Sequence, residues 1–299
     1  LIFSGYVIII LRHNERGTPK QEEKIVKRSI FSAIISVFLL SVFVTPTQFT
    51  TEEIKQREKY EGLLKTAEII KAEEIGEGVT KPWRLFLKKG DDEISACWKN
   101  PEGVQKGSLE GWQYEIAAYQ MDKLLGLNMI PPTVEREFHG QPGSLQLWAE
   151  SEFSLLEVME QGIQLPDRNP EATVFSRGKY IARAFDSLIA NEDRTQQNVL
   201  YTKDWRVILI DHSRAFRSKK KYQKRLLYGK RGSKEKQLFR QLPRTFVEKV
   251  KALEYDSIKN AVGPYLTDEE INAILARKKL LLSEIEEMIN ELGQDKVLY

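Results

Sequence analysis

Cysteine and histidine are nearly absent from this chain. A single cysteine, Cys97, in 299 residues excludes an intrachain disulfide framework and a zinc site built on cysteine. The three histidines, His13, His139 and His212, are scattered, which argues against a histidine metal cluster. Aromatic residues are few where cations crowd together: Arg217 to Arg240 holds only Tyr222, Tyr228 and Phe239, too few to favour a base-stacking platform for nucleic acid. That stretch has eleven Lys/Arg and one acid, Glu235, while the rest of the chain has 35 basic and 42 acidic residues. A field of that sign attracts an acidic peptide, an anionic lipid head group or another anion, although a solvated loop has the same composition. With 41% hydrophobic and 30% charged residues the chain is globular rather than disordered, and its length allows one or two domains with a large core.

One long apolar run exists, Ser29 to Val44, with Lys24, Lys27 and Arg28 before it. It reads as a secretory signal or short membrane anchor within a leader of residues 1–50, so membrane attachment or export is expected. Without that leader the chain would be cytoplasmic. The run is shorter than the roughly 17–25 residues of a full span, no Ala-x-Ala cleavage site follows it, and a buried core helix is the alternative.

A polar helix is expected over Thr51–Lys71, forming a linker at 51–72. Next comes strand, glycine turn, strand over Ile75–Leu87, with Gly76 and Gly78 in the turn, where a backbone can approach phosphates. Ile94–Lys99 is a further strand, and Ser108–Leu125 a helix with Trp112, Ile116, Tyr119 and Leu124 on one face. A hairpin is expected around Gly140–Gly143, followed by a hinge at Leu147–Glu150 that contains Trp148. Phe175–Ile189 shows helical periodicity; Val199–Tyr201 and Arg206–Ile210 read as paired strands. Helices over Leu242–Val262 and Thr267–Leu292 complete the chain, the second opened by a capping box at Thr267–Glu270.

The most specific feature lies between these elements. Asp193 stands five residues before Asn198, and Asp211 ends the strand that follows. Phosphoryl transfer needs a carboxylate at the attacking hydroxyl and oxygen ligands for the metal that bridges the phosphates. One loop and one hairpin here supply all three. Lys99 ends a strand, as a phosphate-contacting lysine does, with Lys88 and Lys89 as competitors. Glu115 adjoins the apolar face of the next helix and is placed to pair with Lys99; Glu110 is the second choice. Cys97 is small enough to lie over an adenine ring. Trp148 is either a nucleotide contact or a packing residue.

Asn191-Glu-Asp-Arg-Thr-Gln-Gln-Asn-Val-Leu200 and Ile210-Asp-His-Ser213 resemble the Asp-Arg-His-x-x-x-Asn and Ile-Asp-Phe-Gly segments of the atypical kinase-like superfamily, the phosphoinositide 3-/4-kinase-like and HipA-like enzymes. The resemblance spans about 73–216 and is specific around 185–216. It implies an α+β, two-lobed fold, with a small β-rich lobe carrying one main helix at 73–150 and a larger helical lobe at 151–299. It implies ATP and Mg²⁺ (or Mn²⁺) as cofactors and a hydroxyl acceptor, protein, lipid or small molecule. Asp193 becomes the catalytic base with Arg194 beside it, Asn198 and Asp211 the metal ligands, and Lys99 the phosphate-binding lysine. Thr195 replaces a common histidine and Ser213 a common glycine, and neither change removes a metal ligand. A non-catalytic scaffold using the basic 217–240 segment, and a nucleotidyl transferase on the same residues, are the other readings.

Overall fold

The computed structural model of the chain describes residues 50–76, 82–105, 108–229 and 241–299. The expected leader with its apolar segment at 29–44, Gly78 and the basic residues 230–240 lie outside the described residues. Among the described residues no helix is long and apolar enough to cross a membrane.

Two short helices come first, α1 (Thr51–Lys55) and α2 (Arg57–Thr66). Thr50 and Glu53 form a capping box that satisfies the first free N–H groups. The helix expected to reach residue 71 ends at Thr66, because Glu68–Glu74 is strand β1. Branched Ile69 and Ile70 favour extended backbone, and Ile69 pairs opposite Leu87. From β6, described below, the Arg136 guanidinium donates to the carbonyls of Leu64 and Ala67 at 3.1 and 2.9 Å. A cation at a helix C-terminus is favourable, and here it ties α2 to the sheet.

Strands β2 (Trp83–Lys89) and β3 (Asp92–Lys99) alternate strictly. Leu85, Leu87, Ala96 and Trp98 turn to a core with Leu64, Val134, Phe138 and Leu145, which leaves Arg84, Phe86, Ser95, Cys97 and Lys99 on the other face. β4 (Glu102–Gln105) and β5 (Ser108–Gly111) form a small hairpin, so the helix expected from Ser108 begins later, as α3 (Gln113–Leu125). β6 (Thr133–Phe138) and β7 (Gln141–Leu147) close tightly through His139 and Gly140, both at positive φ (52° and 71°), a turn that matches strand twist. The five-stranded sheet has order β1-β2-β3-β7-β6 with every neighbour antiparallel.

The rest is mostly helical, and the protein is α+β. β8 (Phe153–Ser154) leads into α4 (Leu155–Glu160) and α5 (Glu171–Ile189), then β9 (Val199–Tyr201) and β10 (Val207–Leu209), which with β8 form a small antiparallel sheet. After α6 (Lys220–Gln223) come α7 (Arg244–Ala252), α8 (Tyr255–Val262), α9 (Asp268–Leu292) and α10 (Gln294–Val297). The single helix expected over 242–262 is two, broken at Leu253 and Glu254, whose backbones are extended. The Thr267–Glu270 capping box opens α9 as expected. A second core joins α3, α5, α7, α8 and α9, with Phe185, Leu188, Ile189, Ile271, Ile274 and Leu281 fully buried. Each such side chain stabilises by about 1.5–3 kcal/mol. The described part of the basic stretch packs against this core through Leu226, Leu227 and Tyr228, so it is not a free loop there.

Asp122 on α3 is fully buried, with Oδ1 accepting the Met129 N–H at 2.9 Å and Oδ2 unpartnered. Burial pushes its pKa up to about 7, against the opposing pull of the Met129 N–H and Arg57. A carboxyl whose pKa is higher folded than unfolded binds extra protons in the native state, so its contribution falls as pH rises from about 4 to about 7. Asp122→Asn keeps the acceptor and removes the charge. Urea unfolding across pH 4–8 is expected to show this variant gaining on wild type as pH rises, by about 1.4 kcal/mol per unit of pKa displacement.

Candidate functional site

The site is built where β3, α3 and the segment after β10 meet. Lys99, at the end of β3, donates from Nζ to Glu115 Oε1 on α3 at 3.3 Å, and its Nζ is also 3.3 Å from Asp211 Oδ1. The expected Lys99–Glu115 pair is therefore present. Lys88 and Lys89 are exposed, occupied by Glu93 and by Thr66. Burial disfavours the charge on Lys99, but Asp211 and Glu115 outweigh it and hold its pKa well above the usual lysine range. Glu115 is likewise buried yet kept well below the usual carboxylate range by Lys99 and His212. β7 runs hard against this strand end: a Cβ on Gly143 would lie 2.6 Å from the Lys99 carbonyl oxygen, so glycine is required.

Beyond β10 the chain turns sharply. Asp211 adopts φ +59°, a left-handed conformation that aspartate tolerates better than most residues. The next N–H, of His212, donates to Glu115 Oε2 at 2.9 Å, so Glu115 holds both the lysine and the turn that carries Asp211. Ser213 stands where the resemblance would have glycine. Its hydroxyl donates to Asp211 Oδ1 at 3.3 Å, and its carbonyl accepts the Gly111 N–H at 3.0 Å.

α5 ends at Ala190, in the left-handed conformation (φ 51°), and delivers the loop with Asp193. Arg194 turns inward. It donates to both oxygens of buried Asp186 at 3.0 Å, to the carbonyls of Asn198 and Ile210 at 3.0 and 2.5 Å, and to His212 Nε2 at 2.8 Å. Arg194, expected beside the base as a catalytic partner, is thus a positioning residue that binds the loop to the turn behind it. Because His212 Nε2 accepts, its proton sits on Nδ1, 3.6 Å from Glu115. Burial, then Arg194, lowers the His212 pKa, keeping the ring neutral.

Asp193 Oδ2 meets Arg214 Nη1 at 3.0 Å, and Arg214 is anchored in turn by Glu110 of β5 at 2.6 Å. Glu110 is thus the partner of Arg214 and not of Lys99. Burial works against Arg214's charge, but Glu110, Asp193 and Asp211 together raise its pKa. Exposure separates two kinds of acid: the side chains of Asp193 and Asp211 are 40% and 37% exposed, those of Glu110 and Glu115 only 2% and 4%. The first two are available to a ligand; the others are anchors. Asp186 and Arg214 were not singled out from sequence, and Glu110 only as a second choice for Lys99, because an acid or arginine in a polar loop gives no signal until its partner, 104 residues distant for Glu110–Arg214, is in place.

Asn198 ends the turn before β9, and its carbonyl accepts the Ile210 N–H at 3.2 Å, next to Asp211. Its side-chain amide and Asp211 Oδ2 have no partner among the described residues. No group of three or more His, Cys, Asp or Glu side chains forms a metal cluster among the described residues. The available donors are one carboxylate and one amide oxygen, a hard set that suits Mg²⁺, which keeps several waters and uses substrate phosphates as ligands.

A cavity of about 800 Å³ lies apart from the ion cluster, along β2, β3 and the segment after β7. Arg84, Phe86, Ser95, Trp148, Glu150 and Ile208 are among its lining residues. The expected hinge, Leu147–Glu150, therefore borders it. Leu147 and Trp148 spend their N–H groups on Pro132 and Ser95, at 2.8 and 2.9 Å. Trp148 is half-exposed under the Arg84 guanidinium, which lies 4.2 Å from its ring centroid. Cys97 is half-buried between Ser95 and Lys99 on one strand face, and burial pushes its thiol up to about 11. Gly76 is exposed just after β1, and a Cβ there would meet nothing within 4 Å.

No known protein family matches the chain, and no curated protein matches its sequence.

The ion cluster has a measurable signature. Glu115→Gln leaves Lys99 short of one counter-charge, and breaking a buried pair costs about 3–5 kcal/mol. Urea unfolding is expected to show that loss, with Lys99→Met/Glu115→Gln losing less than the two single variants combined. An additive double variant would mean that the two side chains do not act as a pair.

Proposed function

We propose that this chain is a phosphotransferase that uses ATP and Mg²⁺, on a two-lobed kinase-like architecture. The sheet with α3 would form the smaller lobe of about 73–150, and the helical part the larger lobe of 151–299. One observation carries the reading. A strand lysine, a helix glutamate and the aspartate after a hairpin form one ion cluster, and the loop aspartate lies on the same hydrogen-bonded turn through Arg214, Glu110 and Ser213.

In this reading Asp193 accepts the proton of the acceptor hydroxyl, and Lys99, held by Glu115, binds phosphate oxygens. Asn198 and Asp211 hold Mg²⁺, which when bound offsets the charge of the phosphates. The cavity beside Trp148 takes the base. Ser95, which lines it, and Lys99 are four residues apart on one strand face, about 13 Å, so a nucleotide laid along β3 joins the two. The acceptor carries a hydroxyl, in a protein, a lipid or a small molecule, and the cationic residues 219–225 favour an anionic one. The basic and then apolar residues 24–44 support attachment to, or passage across, a membrane.

Two measurements test the proposal. ATP with Mg²⁺ is expected to raise the melting temperature more than either alone, since a ligand bound only to the native state adds to its stability. Asp193→Asn is expected to keep that shift and lose turnover by at least about a hundredfold. Binding without turnover in the wild type would leave a scaffold; an adenylated product would make the chain a nucleotidyl transferase.

A further inference from the structure

Among the described residues Arg214 is the cation that meets Asp193, and the chemistry above leaves it without a task. Its guanidinium is anchored along one edge, where Nε and Nη2 donate to Glu110 Oε1 at 2.8 and 2.6 Å. Glu110 is buried on β5, and the Gly111 N–H to Ser213 carbonyl bond locks that strand to the segment carrying Arg214. Neutralising the arginine would need no more than this. Yet the opposite corner, Nη1, is aimed at Asp193 Oδ2, 3.0 Å away. Ser213, the preceding residue, touches both Glu110 and Asp211. Glu110 of the β4–β5 hairpin thus fixes a positive charge beside Asp193, on the segment that also carries Asp211.

We infer that Arg214, held by Glu110, is the catalytic residue that stabilises the phosphoryl group in transit, an inference that rests on the phosphotransferase reading. In the step, the acceptor oxygen bonds to the γ-phosphorus while the bond from that phosphorus to the β–γ bridging oxygen breaks. The hydroxyl proton passes to Asp193, and ADP leaves with the electron pair. Negative charge is spread over the transferring oxygens at that moment. Nη1 has two hydrogens and spends one on Asp193; the second is directed to those oxygens. Arginine suits the task, being permanently charged and planar, and a donor fixed in advance stabilises developing charge without reorganising.

The test compares the full chain with Arg214→Ala, Arg214→Lys and Glu110→Gln. Calorimetry measures the affinity for MgATP, for MgADP and for MgADP with aluminium fluoride, which mimics the group in transit. Arg214→Ala is expected to bind MgATP within about threefold of wild type while kcat falls about a thousandfold. The preference for the fluoride complex over MgADP should fall by a similar factor, and Glu110→Gln should show a smaller loss in the same sense. Arg214→Lys keeps the charge but not the fork, and gives the same comparison if the alanine variant does not fold. Equal losses for MgATP and the fluoride complex would overturn the inference, as would unchanged kcat. A fall in kcat with the fluoride preference intact would reduce Arg214 to a clamp on Asp193 and also overturn it. Wild-type protein that does not bind MgATP would instead defeat the phosphotransferase reading, before any variant is compared.

Discussion

A half-buried ammonium between two carboxylates organises the centre of this protein. Taking Lys99 out of water costs several kcal/mol, and only close, well-directed acids recover it. Glu115 and Asp211 do so at 3.3 Å each, from a helix and from the turn after a hairpin. The requirement reaches outward from there. Glu115 also accepts the His212 N–H, which sets the turn; His212 receives Arg194, which is neutralised by Asp186 on α5. Removing any member strands a charge in a poorly solvated place, so the sheet, α3, α5 and the turn are bound to a common geometry.

The acids divide by burial into two sets with different work. Glu110, Glu115 and Asp186 are almost inaccessible, and each matches one cation: Arg214, Lys99 and Arg194. Asp193 and Asp211 are open to solvent and keep acceptor capacity. Such an arrangement lets the open acids meet a ligand without the scaffold rearranging, which is the condition for electrostatic preorganisation. Ser213 adds to it, its hydroxyl bonding Asp211 where a glycine would supply nothing.

Strand alternation connects the ion cluster to the cavity. On β3, Ser95 lines the cavity, Cys97 follows, and Lys99 enters the cluster, all on one face, while Ala96 and Trp98 hold the opposite face in the core. The apolar face fixes the register, and a slip by one residue would exchange the two faces and bury nothing useful. The position of the lysine is therefore secured by the hydrophobic residues beside it.

Much of this was legible in the chain. The alternation of β2 and β3, the periodicity of α5 and α9, the Thr267–Glu270 box and the Lys99–Glu115 pair follow from local pattern, because a side chain's direction within an element depends on its neighbours in sequence. Other parts were not. Ile69 and Ile70 read as the tail of a polar helix until Leu87 was there to pair with, and Ser108–Gly111 read as a helix start until Glu102–Gln105 lay beside it. Arg194 looked like half of a catalytic pair, but its five donor contacts turn it inward. The amino-acid order alone determined the strongly periodic elements and which residue types reach the loops. Beyond Lys99 and Glu115, only tertiary structure decided which acid meets which cation, because Coulomb attraction and desolvation depend on distance in space and on burial, and Glu110 and Arg214 acquire both only when the chain is folded.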